Sequence, residues 1–212
     1  TLHEKVRLTA ASRTDSGVHA REQVVNFRSH TVIPASNLRL ALNTRLPDDI
    51  RVTAVQDVPA DFHSRYHAVS KTYRYTILNR RYHDVFLHRY AYQYWLARLD
   101  VKAMRKAAAL LVGRHDFSSF KRTDRRKMST VRTVTRITVT QRGAFIYIDV
   151  TGQGFLYHMV RNIVGTLIEI GRGKLPADSV LDILCARSRR AAGPTAPACG
   201  LCLMRVRYAK HA

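Results

Sequence analysis

Acidic residues are scarce in this chain. Its 212 residues hold 15 Asp and Glu against 36 Lys and Arg, a formal net charge of +21. That excess specifies no fold, but it implies a polyanionic partner whose binding weakens steeply with salt. Cysteine is scarce too. Cys185, Cys199 and Cys202 are the only three, too few for a disulfide framework, and they point to a reducing compartment. Cys199-Gly200-Leu201-Cys202 has metal or redox spacing. Without a second pair it cannot complete a zinc site, and it reads better as the start of a strand. No apolar run approaches membrane-spanning length. No secretory signal is visible, and the chain opens on Thr1 rather than Met, so upstream sequence is expected. There is one Trp, and there are no low-complexity tracts or short repeats. Against these shortages, 46% hydrophobic residues excludes a disordered basic tail. The length suits one large domain or two small subdomains around a real core.

Periodicity predicts mixed elements. Val6–Ala10 and Gln23–Phe27 read as short strands entering and leaving a loop around Asp15. Residues 34–46 fit a helix, with Leu38, Leu42 and Leu46 at helical spacing. Ile50–Val55 and Lys71–Ile77 alternate and read as strands. Asp100 is a natural N-cap for a helix over 101–112, with Val101, Met104, Ala108 and Leu111 on its apolar face and Gly113 ending it. Val131–Thr140 and Phe145–Thr151 form a hairpin around 141–144. His158–Ile170 is a strong helix, Leu175–Cys185 another started by Pro176, and Leu201–Tyr208 a final strand. Strands, hairpins and helices in this arrangement predict an α+β fold with a mostly antiparallel sheet.

The run Ser12-Arg13-Thr14-Asp15-Ser16-Gly17-Val18-His19-Ala20 is the first chemical candidate. It places one carboxylate in a loop that Gly17 lets turn tightly. A neighbouring guanidinium favours the charged form of a carboxylate, which suits nucleophilic or electrostatic work better than general-acid work. Two other readings compete. Asp-Ser-Gly often closes a turn through its own backbone bonds. It also mimics an aspartic-protease loop, but that chemistry needs a second carboxylate, and no second copy of the tripeptide occurs. His63 and His67, with Arg65 between them, are RNA contacts or structural hydrogen-bonders rather than metal ligands. Tyr73 and Tyr75 share one face of a strand, as core or as a platform for a base. The basic run Lys121-Arg122-Thr123-Asp124-Arg125-Arg126-Lys127 is a solvated loop or a phosphate contact.

Taken in order, these segments resemble the TruA-type tRNA pseudouridine synthases. The nucleophile loop of that family, Gly-Arg-Thr-Asp-Ala-Gly-Val-His-Ala, matches residues 12–20, with Ser12 and Ser16 in place of Gly and Ala. Further matches follow at Ala41-Leu42-Asn43 with Leu46-Pro47-Asp48-Asp49-Ile50, and at Asp61-Phe62-His63-Ser64-Arg65. They continue at Tyr73-Arg74-Tyr75, at residues 113–120, at residues 155–165, and at Ala196-Pro197-Ala198-Cys199-Gly200-Leu201. The family's N-terminal strand and its Tyr-Asp-Gly…Gly-Trp-Gln segment have no counterpart here. The resemblance implies two RRM-like α/β subdomains, 1–70 and 71–212, sharing a central sheet with a catalytic cleft between them. It implies that Asp15 is the nucleophile, Arg161 its charge partner, Tyr73 a stacking residue and Leu201 the apolar wall of the uracil pocket. Arg13 would displace the target nucleotide from the stack. His63, Arg65, Lys121, Arg122, Arg125, Arg126 and Lys127 are the expected RNA contacts. The implied reaction turns uridine into pseudouridine at positions 38–40 of the tRNA anticodon stem-loop, without cofactor or metal, in a homodimer. The implied location is cytoplasmic for a bacterial protein, with mitochondrial and nuclear locations left open. A non-catalytic RNA-binding module of the same fold, and a synthase acting on another RNA such as mRNA, stand as alternatives.

Overall fold

The computed structural model describes residues 2, 4–122 and 129–209. In chain order its elements are β1 (Thr9–Ala10), β2 (His19–Ala20), β3 (Val25–Asn26), α1 (Ala35–Asn43), β4 (Ala68–Asn79), β5 (Tyr92–Tyr94), α2 (Val101–Leu110) and β6 (Gly113–Asp116). They continue with β7 (Val131–Arg142), β8 (Phe145–Gly152), α3 (Met159–Gly171), α4 (Ser179–Ala186) and β9 (Leu201–Tyr208). The architecture is α+β. These elements fall into two compact units, Thr1–Ser12 with Val24–His67, and Arg13–Gln23 with Ala68–Ala212.

In the smaller unit, β1 and β3 pair antiparallel over only two residues each, shorter than the strands expected from alternation. Side chains tie both strands to the segment 62–64. Ser64 Oγ donates to the Thr9 carbonyl at 2.8 Å, and Asn26 Nδ2 donates to the Phe62 carbonyl at 3.3 Å. The strand expected at Ile50–Val55 does not form. Asn43, at the end of α1, explains why: its amide accepts from Val52 N–H at 2.8 Å and donates to Val52 C=O at 2.9 Å. One side chain thus takes both backbone groups that a neighbouring strand would use.

The larger unit is built on a seven-stranded sheet in the order β2-β9-β4-β8-β7-β6, with β5 beside the end of β4. Only the β2–β9 and β4–β5 pairs are parallel, so the sheet is mostly antiparallel, as expected. Alternation along β4 and β8 sends Tyr73, Tyr75 and Ile77 to the same buried face as Ile146, Ile148 and Val150. Helix α2 packs on β7, and α3 packs on α2 and β4. The opposite face is polar: Arg74 sits across from Asp149 in the ladder and grips it with two bonds of 2.7 and 2.8 Å.

Local signals explain the helices. Asp100 caps α2 by accepting from Lys102 N–H and Ala103 N–H at 2.8 and 3.1 Å. Helix α3 is apolar nearly all round, the pattern of a helix buried in a core. Among its residues only Arg161 and Glu169 are not fully buried. Helix α4 starts later than Pro176, because the Pro176 carbonyl accepts from both the hydroxyl and the N–H of Ser179 at 2.7 and 3.2 Å, closing a turn ahead of it. The hairpin between β7 and β8 turns on Gly143 and Ala144 alone, with Gly143 at φ +58°. No helix among the described residues is long and apolar enough to cross a membrane.

Candidate active site

Asp15 opens a tight turn, in which Val18 N–H donates to the Asp15 carbonyl at 3.0 Å and Gly17 takes φ +80° at the third position. That backbone conformation favours glycine. The turn feeds directly into β2, where His19 and Ala20 pair with Cys202 and Leu203 of β9. Arg21 N–H adds a bond of 2.8 Å to the Leu203 carbonyl, and His19 Nε2 lies 2.6 Å from the Arg89 carbonyl. The loop is therefore held to the sheet on its C-terminal side.

The carboxylate of Asp15 meets the first turn of α3. Its Oδ2 accepts from Arg161 Nη1 at 2.8 Å and lies 3.1 Å from His158 Nε2. Helix N-termini favour negative charge, so the carboxylate stands at the favourable end of α3. Arg161 is itself fixed, because its Nε donates to the Ala196 carbonyl at 2.7 Å while Ala196 N–H returns a bond to the Arg161 carbonyl at 3.1 Å. The segment carrying Ala196 lies hard against α3 at Gly165, where an added Cβ would stand 1.6 Å from the Pro194 carbonyl oxygen. The guanidinium is thus aimed by a helix and by the strap that crosses it.

His158 precedes α3 in the left-handed region, at φ 61° and ψ 5°, a conformation uncommon outside glycine and adopted most readily, among other residues, by Asn, Asp and His. Burial pushes its imidazole below the ordinary histidine range, and Arg161, Arg122 and Arg189 push the same way against the pull of Asp15. The shift favours the uncharged imidazole, so Arg161 is the positive charge that faces the Asp15 carboxylate.

Arg122, His158, Arg161, Arg189 and Thr195 line a cavity of about 450 Å³. Arg122 stacks over Tyr157 at 5.5 Å and donates to its hydroxyl at 3.2 Å. Arg189 Nη2 donates to Asn162 Oδ1 and Thr195 Oγ1 at 3.2 and 3.1 Å, and its Nη1 donates to the Ala192 carbonyl at 3.2 Å. Burial pulls its guanidinium below the usual arginine range.

The structure therefore brings Asp15 and Arg161 together and adds His158. Tyr73 is 6% exposed, with its ring edge-on to Phe155 at 5.3 Å and 89°. A β-bulge falls beside it, where β9 fits Met204 between the partners of Thr72 and Tyr73. Bulges of this kind re-aim side chains and are common near active sites. Leu201 is also buried and pairs with Tyr75, whose hydroxyl donates to the Pro197 carbonyl at 2.8 Å. Arg13 is exposed two residues before Asp15. Lys121 is half-buried and Arg122 exposed, whereas Arg125, Arg126 and Lys127 lie outside the described residues.

In the smaller unit His63 acts within its own loop, its Nδ1 accepting from Arg65 N–H and Tyr66 N–H at 3.2 and 3.3 Å. Arg65 lies over the Tyr66 ring at 5.8 Å. No cluster of metal-ligating side chains occurs among the described residues.

A family model described as tRNA pseudouridine synthase matches residues 2–67 and 107–209. The chain belongs to the tRNA pseudouridine synthase family. A tRNA pseudouridine synthase A of Moorella thermoacetica is 52% identical over 207 residues, which cover 97% of this chain and 83% of that protein. The protein of the same name from Halalkalibacterium halodurans is 49% identical over 196 residues, 92% of this chain and 74% of that one. That from Clostridium acetobutylicum is 44% identical over 205 residues, 97% and 84% respectively.

Two members of this site carry signals in the sequence that went unassigned. His158 lies inside the family motif beside Arg161. Asn162 is the other, a polar residue within a mostly apolar helix; it is buried and accepts from Arg189, a partner the sequence does not name. Buried polar groups of that kind are held for a partner.

Proposed function

We propose that this protein isomerises uridine to pseudouridine in tRNA, with Asp15 acting on a uridine displaced from the helix. Family membership supports the reaction, and the bond between Asp15 Oδ2 and Arg161 Nη1 is the observation that carries the assignment of the carboxylate. The isomerisation breaks the bond from N1 to C1′, turns the base and joins C5 to C1′; C5 loses its hydrogen and N1 gains one. Arg161 and His158 both engage Oδ2, and Oδ1 makes no hydrogen bond with the described residues. That oxygen faces the substrate in this reading. Attack on the base, attack on the sugar and removal of a sugar proton all begin from it.

Taking a base from the stack costs a few kcal/mol, recovered by stacking and hydrogen bonds in the pocket. Tyr73 and Leu201 provide the apolar surfaces, and their burial supports a pocket that opens when the base enters. Arg13, exposed beside the loop, fills the place the base leaves. Lys121 and Arg122, with the basic residues that follow, contact phosphates, and His63 and Arg65 contact RNA from their own unit. The target lies at positions 38–40 of the anticodon stem-loop.

The partner in a homodimer is a second copy of this chain. Its support is the run of exposed large side chains between residues 82 and 96, Tyr82, Val85, Phe86, Tyr90, Trp95 and Leu96. The relatives named above are bacterial, which supports action in the cytoplasm.

One experiment tests the reading. An unmodified tRNA transcript carrying tritium at uridine C5 is incubated with the protein and with Asp15→Asn, and tritium release and pseudouridine positions are measured. Release by the wild type alone is expected. Equal release by Asp15→Asn removes the nucleophile assignment, and binding without release by the wild type leaves a non-catalytic RNA-binding module.

A further inference from the structure

We infer that Arg189 and Arg122 form a phosphodiester-binding subsite in the cavity beside Asp15, holding a backbone phosphate that flanks the target uridine. The inference rests on the uridine-isomerising reading and names a contact within that site.

Charge comes first. Three arginines line the cavity, and one of them, Arg161, is neutralised by Asp15. Arg189 has no carboxylate partner among the described residues: its three bonds go to an amide oxygen, a hydroxyl and a backbone carbonyl. Among the described residues Arg122 contacts Tyr157 alone, through its hydroxyl, its ring and its carbonyl. Two guanidiniums therefore face one cavity with their charge uncompensated by these neighbours. Arg189 is partly buried, and a cation held there without a counter-ion is costly unless an anion arrives; Arg122, which is exposed, adds charge from the rim.

Orientation comes second. Arg189 is not a solvated arginine that happens to point inward. Asn162, fully buried on α3, donates to the Phe120 carbonyl at 2.7 Å and accepts from both Thr195 Oγ1 at 2.6 Å and Arg189. Thr166, one turn later, donates to the Asn162 carbonyl at 2.9 Å and accepts from Gly193 N–H at 3.0 Å. Asn162 and Thr195 thus hold the Arg189 guanidinium in place, while Thr166 ties the 193–196 strap to α3. Guanidiniums held in this way recognise phosphate oxygens bidentately. The cavity volume of about 450 Å³ falls within the range that takes a nucleotide-sized ligand.

The partner is a polyanion whose reacting nucleotide must sit at Asp15. The phosphates nearest that nucleotide are the ones that can enter the adjoining cavity. A phosphate held there fixes the sugar of the flipped nucleotide relative to the carboxylate, a positional constraint worth more in turnover than in binding.

The test uses the full chain and ligated tRNAs in which one phosphate flanking the target uridine is a neutral methylphosphonate. Affinity is read by fluorescence anisotropy and turnover by single-turnover pseudouridine formation. With wild-type protein, neutralising one of the flanking linkages is expected to cost about tenfold in rate or affinity. Arg189→Gln is expected to lose a similar factor on all-phosphate tRNA and to lose less than about twofold more on the neutral linkage. Arg189→Lys, which keeps the charge without the fork, is expected to fall between the two.

If the losses from Arg189→Gln and from the neutral linkage multiply, Arg189 does not contact that phosphate, and the inference is overturned. It is overturned equally if neither flanking linkage matters. A merely structural Arg189 would lower the melting temperature yet leave full sensitivity to the methylphosphonate. Because affinity is measured separately, wild-type protein that binds but makes no pseudouridine refutes the catalytic reading while the phosphate contact is still decided.

Discussion

Replacing Asp15 and Arg161 singly and together tests the centre of the site through its energetics. Two unit charges about 4 Å apart interact by about 4 kcal/mol at an effective dielectric near 20. The two side chains are 23% and 14% exposed, so screening removes part of this, although less than for surface pairs worth roughly 0.2–1 kcal/mol. A coupling of about 1.5–3 kcal/mol is expected from the four proteins, wild type, Asp15→Asn, Arg161→Gln and the double variant, in urea denaturation. Arg161→Gln should be the costlier single change, at about 3 kcal/mol, since it also gives up the bond to the Ala196 carbonyl. Asp15→Asn should cost about 1–2 kcal/mol, because an amide oxygen still accepts from Arg161 but without charge assistance. Function should separate from stability. Asp15→Asn leaves one more uncompensated positive charge at the site, so tRNA affinity holds or tightens slightly, while pseudouridine formation falls by roughly a thousandfold or more. A coupling below about 0.5 kcal/mol would show that solvent, not the fold, governs the pair. Turnover by Asp15→Asn within about tenfold of wild type would refute the reasoning outright.

Two further outcomes follow from neighbouring features. Burial holds His158 below its ordinary value near 6.5, so the unfolded chain takes up a proton that the folded one refuses. The corresponding stability is whole above about pH 6.5 and is lost as pH falls through that value toward the folded-state pKa. Since Asn tolerates the left-handed backbone found there, His158→Asn should keep α3 intact and flatten the stability profile below about pH 6.5 in thermal melts. An unchanged slope would locate the pH dependence elsewhere. Gly165→Ala forces a Cβ to 1.6 Å from the Pro194 carbonyl oxygen, a clash with backbone that only a shift of the strap can relieve. A loss of about 3 kcal/mol or more, with turnover reduced through a displaced Ala196 and Arg161, is expected by denaturation and single-turnover assay. Wild-type stability in this variant would mean that the strap does not aim the arginine.

What could be read from the sequence follows the reach of each physical signal. Strand β9 was expected at Leu201–Tyr208 and forms over those residues, because alternation is a property of the segment itself. Asp100 was legible as a cap for the same reason. Strands β2 and β5 were not, being two and three residues long and existing only through parallel pairing with β9 and β4. Ile50–Val55 carried the right alternation, yet Asn43 intercepted its backbone. The contact between Asp15 and Arg161 spans 146 positions. Periodicity says nothing at that range, and only the ordered family motifs suggested it. The setting of Arg189 lay beyond both, since it depends on where Asn162 and Thr195 meet in space.

The path of the chain through its two units has a consequence for any attempt to divide the protein. Residues 13–23 leave the first unit, lie with the second, and return before residue 24. A cut at the junction of His67 and Ala68 therefore does not yield one structural piece and one catalytic piece. It strands the carboxylate on one fragment and its arginine, histidine and supporting β9 on the other. Each fragment would carry half of one ion pair, so complementation of the two would report directly on whether the Asp15 loop can find its strand without being delivered there by the intact chain.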